Sequence, residues 1–588
     1  MRSSRPRALL LLSLLATACG DDVTVASTDQ GTGGSSDSTT GAVELTTTSG
    51  EESSTSTSSG AADETSSTGD ETTGGPDPAQ PLDWQTDCLA GSYDLRRIHP
   101  DLQCTAIEVP LDWDEPDGET IVVGAVRIPA TTQTRVGTFW TLDGGPGGSG
   151  LGYPLDEGWR EEIRQAGYDI IVTPHRGTFS PYLLCAAVSN TSADCLAQVE
   201  EDWGDRLQHF NTVEAARDVG EFIRREQAGE DERVVVYGVS YGTYWAQFYA
   251  GEFPTQADAI ILDSAVPMNG DLALEEYLVQ EQAERLLQEC VDDPVCGARV
   301  GFESGEAFSA AVVSAIDDGD CGMGDAGLWE ESNFRFLFGQ LINSDRVRNY
   351  VPLLAAMLSR CEPELSATVN TAINGLFGAL ASKTGPVEQM PIGVPLHSPR
   401  RPATDGTPPG FDLLFSGALQ SAVIATTMLS EDADPAQAEL DAMNHFASLG
   451  FGTLMAGIQA NWSGLPKVEF DRAFASETPM LVLNATYDLQ TVMPWAEIVA
   501  EQHGAQLIEF NDGQHGVTLS GTGGKTLQGD PCARALMFEF MDDPGEPVDD
   551  SCAQALPAVD VNLERADLVD VSMAAFGTDD PWSLLPAE

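Results

Sequence analysis

The sequence predicts a doubly wound, mostly parallel α/β sheet carrying a large helical insertion, on three observations. Short buried-strand runs alternate with helix-compatible text from about residue 107 to 269. One of these runs, Val234 to Tyr237, passes at once into Gly238-Val239-Ser240-Tyr241-Gly242 and then into a stretch with Ala246 and Ala250 at helical spacing. From about 270 to 470 the text turns mainly helical, and strand runs resume at Met480.

The chain opens with Arg2, Arg5 and Arg7, an apolar run from Ala8 to Leu15, and Ala16-Thr17-Ala18-Cys19. A charged start, a short apolar run and small residues before a cut read as an export signal and not as a membrane span. Cys19 directly after small residues resembles a bacterial lipobox and is the candidate lipidation site, ordinary cleavage nearby being the alternative. Residues 20–80 are Ser, Thr, Gly and acidic text without Lys or Arg, which cannot bury enough apolar surface to offset the entropy of ordering. They are expected to form a disordered tether. The body is then divided into a first sheet part (81–269), a helical cap (270–470) and a second sheet part with a C-terminal extension (471–588).

Formal net charge is −63, and the tether from Asp21 to Asp77 supplies only twelve of the negative charges. So acidic a body argues against nucleic acid as a partner and points to solubility or salt tolerance. Setting Cys19 aside leaves ten cysteines, and they fall in near pairs: Cys88 and Cys104, Cys185 and Cys195, Cys290 and Cys296, Cys321 and Cys361, Cys532 and Cys552. In an exported chain these read as five local disulfides, although ten cysteines permit hundreds of connectivities. There is no C-x-x-C and no H-E-x-x-H, so no metal site and no cofactor are expected.

Within the body, residues 107–128 read as a hairpin and Val136 to Leu142 as a strand, closed by Asp143-Gly144-Gly145-Pro146-Gly147-Gly148-Ser149-Gly150. The glycines leave backbone N–H groups open to a ligand, but a phosphate loop would need a lysine and a different spacing. Asp169 to Val172 is the next strand, Val213 to Arg225 a helix, and Ala259 to Asp263 a sixth strand. Helical text runs from Leu272 to Cys290 and from Val347 to Leu358, interrupted by the Pro/Gly-rich stretch 385–410. Met480 to Asn484 leads into Asp488, and Gln506 to Phe510 leads into His515. A serine at a strand–turn–helix apex, then an aspartate and a histidine each just past a strand, is the chain order of a hydrolase triad. Singly, the three would read as a loop serine, a loop aspartate and a surface histidine.

The matching segments are V-P-L-D-W after Cys88…Cys104, the G-G-P-G-G-S-G loop, R-G-T-x-S-P with Cys185, G-V-S-Y-G-T-Y, the Asp488 and His515 segments, and Cys532 with Cys552. On these the chain resembles the tripeptidyl-aminopeptidase-like branch of the prolyl-aminopeptidase family of α/β-hydrolases, from about Asp83 to Cys552. It departs at Pro174 and Phe179, where the family's loop carries Asp and Gly, and near Ala425 and Ala460, where relatives often carry cysteines. The expected roles are Ser240 as nucleophile, His515 as general base and acid, and Asp488 as its orienting partner, with backbone N–H groups of Gly145 and Tyr241 as the oxyanion hole. The resemblance implies release of short peptides from free N-termini by an exported or envelope-anchored enzyme, which requires an anion for the substrate ammonium. Glu275 and Glu276 are the candidates, the alternative being a solvated acidic helix face. A carboxylesterase with the same triad and a non-catalytic binding lipoprotein are the rival readings.

Overall fold

The computed structural model describes residues 80–586, apart from 91–92, 153–156, 179–181, 186–188, 228–231, 271, 273–274, 318–330, 346, 382–414, 431–433, 435–436, 438–439, 441–443 and 520–530. Cys19, the leader, the tether to residue 79, Cys321 and the stretch 385–410 lie outside the described residues.

Eight strands form one sheet: β1 (Gln103–Pro110), β2 (Thr120–Ile128), β3 (Gly137–Leu142), β4 (Tyr168–Val172), β5 (Arg233–Val239), β6 (Ala259–Asp263), β7 (Met480–Ala485) and β8 (Gln506–Phe510). Their order is β8-β7-β6-β5-β3-β4-β2-β1. The β1–β2 hairpin and the β2–β4 pair are antiparallel, and every other pair is parallel. This order makes the fold an α/β-hydrolase fold. Strands β3 to β7 are buried along their whole length, save the first residue of β5, because helices cover both faces and leave no solvent side for polar alternation. One face packs on helices Thr212–Glu226 and Tyr241–Glu252, and the other on Glu157–Gln165 and Pro531–Asp542.

Arg176 anchors the turn after β4. Its wholly buried guanidinium donates from Nε to Asp218 Oδ2 at 2.7 Å and from Nη1 to the carbonyls of Leu111 (2.7 Å) and His209 (3.2 Å). A buried cation is tolerable only when so fully partnered. It ties β1, the β4 turn and helix Thr212–Glu226 into one unit.

Between β6 and β7 the described regular elements are helices. Helices Glu275–Asp292, Gly305–Asp317, Glu331–Asn343, Val351–Ser359 and Pro363–Ala381 surround a separate apolar core containing Leu286, Phe338, Leu354 and Leu376. Val561, Leu568 and Trp582 belong to the same core, so the C-terminal segment packs on this helical layer and not on the sheet. Gly375 permits a close approach, since a Cβ there would stand 2.6 Å from Ala575 Cα on helix Ala566–Phe576.

Four disulfides join Cys88 to Cys104, Cys185 to Cys195, Cys290 to Cys296 and Cys532 to Cys552, as the near-pair spacing predicts. Cys361 is also disulfide-bonded. Among the described residues no helix is long and apolar enough to cross a membrane.

Candidate active site

Ser240 stands between β5 and helix Tyr241–Glu252 at φ 56° and ψ −129°, a backbone conformation that a non-glycine residue holds only at a cost of about 1–3 kcal/mol. The neighbouring glycines make the turn possible. A Cβ on Gly238 would fall 2.3 Å from Gly242 O, and one on Gly242 would fall 2.0 Å from Leu142 O. Both clashes are with backbone, which cannot swing aside. Ser240 N–H donates to Asp263 O at 3.0 Å and Thr243 Oγ1 to Ser240 O at 2.6 Å, fixing the apex from below.

Asp488 and His515 form a buried couple. His515 Nδ1 lies 2.8 Å from Asp488 Oδ2 and 3.0 Å from Oδ1. The same carboxylate accepts from Thr491 Oγ1 (2.7 Å), Thr491 N–H (3.0 Å) and Gln490 N–H (2.9 Å). Burial alone would raise the Asp488 pKa, but the charge and hydrogen bond of His515, with those of Thr491, outweigh it and hold the carboxyl below its ordinary value. Burial likewise opposes protonation of His515, and the Asp488 carboxylate overrides it, so the imidazole stands above its ordinary value.

The histidine loop is pinned to β6. Asp263, fully buried at the end of that strand, accepts from Val517 N–H (2.8 Å), Thr518 N–H (2.9 Å), Thr518 Oγ1 (2.7 Å) and Tyr237 OH (2.9 Å). Ser264 Oγ accepts from Gly516 N–H at 2.8 Å. A Cβ on Gly516 would stand 3.6 Å from Val239 Cγ2, so the residue after the histidine packs on the residue before the serine. Asp263 therefore holds both loops, through its carbonyl for Ser240 and its carboxylate for the segment after His515. The sequence carried a signal for it, a lone acid closing the apolar run A-I-I-L-D. Thr491 carried none beyond its nearness to Asp488.

The glycine loop after β3 abuts the elbow, and a Cβ on Gly144 would lie 3.0 Å from Ser240 Cβ and 3.4 Å from its Oγ. Gly145 N–H makes no hydrogen bond among the described residues, and Tyr241 N–H is in the first turn of its helix, where backbone N–H groups lack intrahelical acceptors. The Tyr241 hydroxyl is paired with Thr212 Oγ1 at 2.9 Å.

Glu275 and Glu276, at the start of helix Glu275–Asp292, are 2 % and 1 % exposed, so neither is on a solvated acidic face. Glu276 accepts from Gly452 N–H at 3.3 Å. Burial, with Glu276 and Asp488 nearby, pushes the Glu275 carboxyl well above its ordinary value. Asp512, the other acid near His515, is engaged by Arg565 Nη1 at 3.1 Å and by Arg348 at 3.6 Å. Among the described residues Asp112, His209 and Glu214 offer one converging set of metal-ligand atoms. Arg176 (3.5 Å) and Arg217 (3.7 Å) already face the Glu214 oxygens, and two cations at that carboxylate oppose a third.

Residues 451–552 match the family described as TAP-like protein. The chain is 29% identical over 223 residues to Serine protease Hip1 of Mycobacterium tuberculosis, covering 33% of this chain and 42% of that protein. It is 30% identical over 220 residues to the Tripeptidyl aminopeptidase of Streptomyces lividans, covering 32% and 39%. The chain thus spans about two fifths of the length of these curated relatives. Among solved structures, a proline iminopeptidase-related protein from Thermus thermophilus superposes at TM-score 0.33 and 15% identity, over 75% of this chain and 97% of that one. The fold itself is read from the strand order and not from that superposition. The family match spans Asp488, His515 and the Cys532–Cys552 disulfide, and the G-V-S-Y-G elbow stands two strands away, outside the matched residues; over 451–552 the chain is similar to the TAP-like proteins.

Proposed function

We propose that this chain is a serine hydrolase acting as an aminopeptidase, releasing short peptides or residues from free N-termini through an acyl-enzyme. The observation that carries the reading is the buried Asp488–His515 couple held against the strained Ser240 elbow. Ser240 Oγ attacks the scissile carbonyl while His515, through Nε2, takes its proton and later delivers it to the leaving amine. Asp488 fixes the ring's tautomer and stabilises the imidazolium. The N–H groups of Gly145 and Tyr241 hold the oxyanion, and loss of one such donor typically costs ~10²–10³ in rate.

The aminopeptidase assignment draws support from Glu275 and Glu276. Two buried carboxylates side by side are costly without a cation, and a substrate α-ammonium supplies one. Four formed disulfides favour an oxidising compartment, and lipidation at Cys19 would make the membrane contact an N-terminal anchor alone.

The test compares a tripeptide chromogen with its N-acetylated twin at neutral pH. The free amine should be much the better substrate, and the gap should narrow as pH passes the ammonium's pKa, about 8 in unperturbed chains. Equal kcat/KM for the two would remove the aminopeptidase assignment, and preference for simple acyl esters would make the enzyme a carboxylesterase.

A further inference from the structure

We propose that Asp143 is a positioning residue for the oxyanion hole, its carboxylate tying the first and last amides of the glycine loop so that Gly145 N–H faces the carbonyl attacked by Ser240. The inference rests on the serine-hydrolase reading and adds to it a residue outside the triad and its donors.

Asp143 Oδ1 accepts from Gly144 N–H at 2.7 Å and Oδ2 from Gly150 N–H at 2.6 Å. The loop between is wrapped round the carboxylate, for a Cβ on Gly148 would lie 2.3 Å from Oδ2. Gly145, Gly147 and Gly150 have φ of 119°, 109° and 72°, values that side chains resist. Gly148 N–H donates to Gly144 O at 3.1 Å, closing the turn. On the outer side Ser416 N–H donates to Gly147 O at 2.8 Å, and Gln420 Nε2 to Gly145 O at 3.3 Å.

So glycine-rich a segment has great freedom to lose, and an oxyanion donor helps only if it is already in place when charge develops. Two short charge-assisted bonds at the ends of the loop supply that constraint. The charge itself works the other way, because a carboxylate near a developing oxyanion opposes it. Position and charge therefore predict opposite effects of neutralising Asp143, and an experiment can separate them.

Full-length wild type, Asp143→Asn and Ser240→Ala are treated with a fluorophosphonate. Labelling forms a bond from Ser240 Oγ to phosphorus, expels fluoride and passes the serine proton to His515. The second-order rate constant and the final stoichiometry are measured, with thermal unfolding alongside. Asp143→Asn should label to full stoichiometry with a Tm near wild type and a rate constant lower by at least ~10-fold, up to the ~10²–10³ of a donor lost outright. A rate constant equal to or above wild type overturns the proposal. So does partial stoichiometry in which the labelled fraction reacts at the wild-type rate, since that is only a loss of folded protein. Wild type that labels no better than Ser240→Ala removes the serine-hydrolase reading and the proposal together. Should Asp143→Asn not fold, Asp143→Ser keeps an acceptor for Gly144 N–H but not for Gly150, and the same criteria apply.

Discussion

Asp488 and His515 set each other's charge, and the two consequences run in opposite directions with pH. His515 has a raised pKa, so its contribution to stability is full below its ordinary value and lost as pH rises through the folded one. Asp488 has a lowered pKa, so its contribution is present above the ordinary carboxyl value and lost as pH falls through the folded one. In the proposed mechanism catalysis needs the neutral ring, and activity should therefore fall on the acid side. Asp488→Asn should lower kcat by about 10⁴ through the wrong tautomer. It also removes the charge that overrides burial at His515, so the acid limb of the residual rate should move to lower pH. A kcat–pH profile of the variant checks both, and an unshifted limb would mean that another charge holds the imidazole. The three residues proposed as a triad could be picked out in the sequence because each stands shortly past a strand run. Thr491 could not, since a threonine three residues after an aspartate is ordinary turn chemistry.

Among the elements, the turn after β4 is the one whose loss should be felt most. Arg176 fills a slot that accepts a planar fork, and lysine would keep the charge while leaving buried carbonyls and Asp218 partly unpaired. Arg176→Lys should cost about 3 kcal/mol or more in denaturant unfolding, the scale of a broken buried pair. Arg206→Lys, whose partner Glu119 is half exposed, should leave the midpoint unchanged. The same turn shows how reading by pattern falls short. R-G-T was visible as a motif, but nothing in it said that the arginine points into the sheet's flank. Strands were read more closely, because parallel strands covered on both faces are unbroken apolar runs. The hairpin was placed from residue 107, whereas β1 begins at Gln103, whose side-chain oxygen accepts from Arg127 Nε on the paired strand, a polar contact that no apolar pattern marks. The helix read from Leu272 is described from Glu275 onward, and two buried carboxylates stand at that end.

For the whole molecule, a net charge of −63 is a force acting on every pair of surface groups at once. Self-repulsion weakens the compact state and is screened within a Debye length of ~8–10 Å at physiological salt. Raising sodium chloride from about 0.01 to about 0.15 M, the range over which that screening sets in, should raise the Tm. A calorimetric scan in which Tm is flat or falls would show that local ion pairs govern stability in place of the overall charge.

The packing of the last segment onto the helical layer bears on when the protein can mature. Tyr350 OH donates to Leu568 O across 218 residues of sequence, and Val561 and Trp582 complete an apolar interior begun by Leu286 and Phe338. A ribosome delivers residues in order, so the helices emerge long before the surface that covers them. Until residues 559–585 arrive, that interior remains open to water and to chaperones. Native structure in this layer is therefore reached only after residues 559–585 have been made, long after the helices they cover.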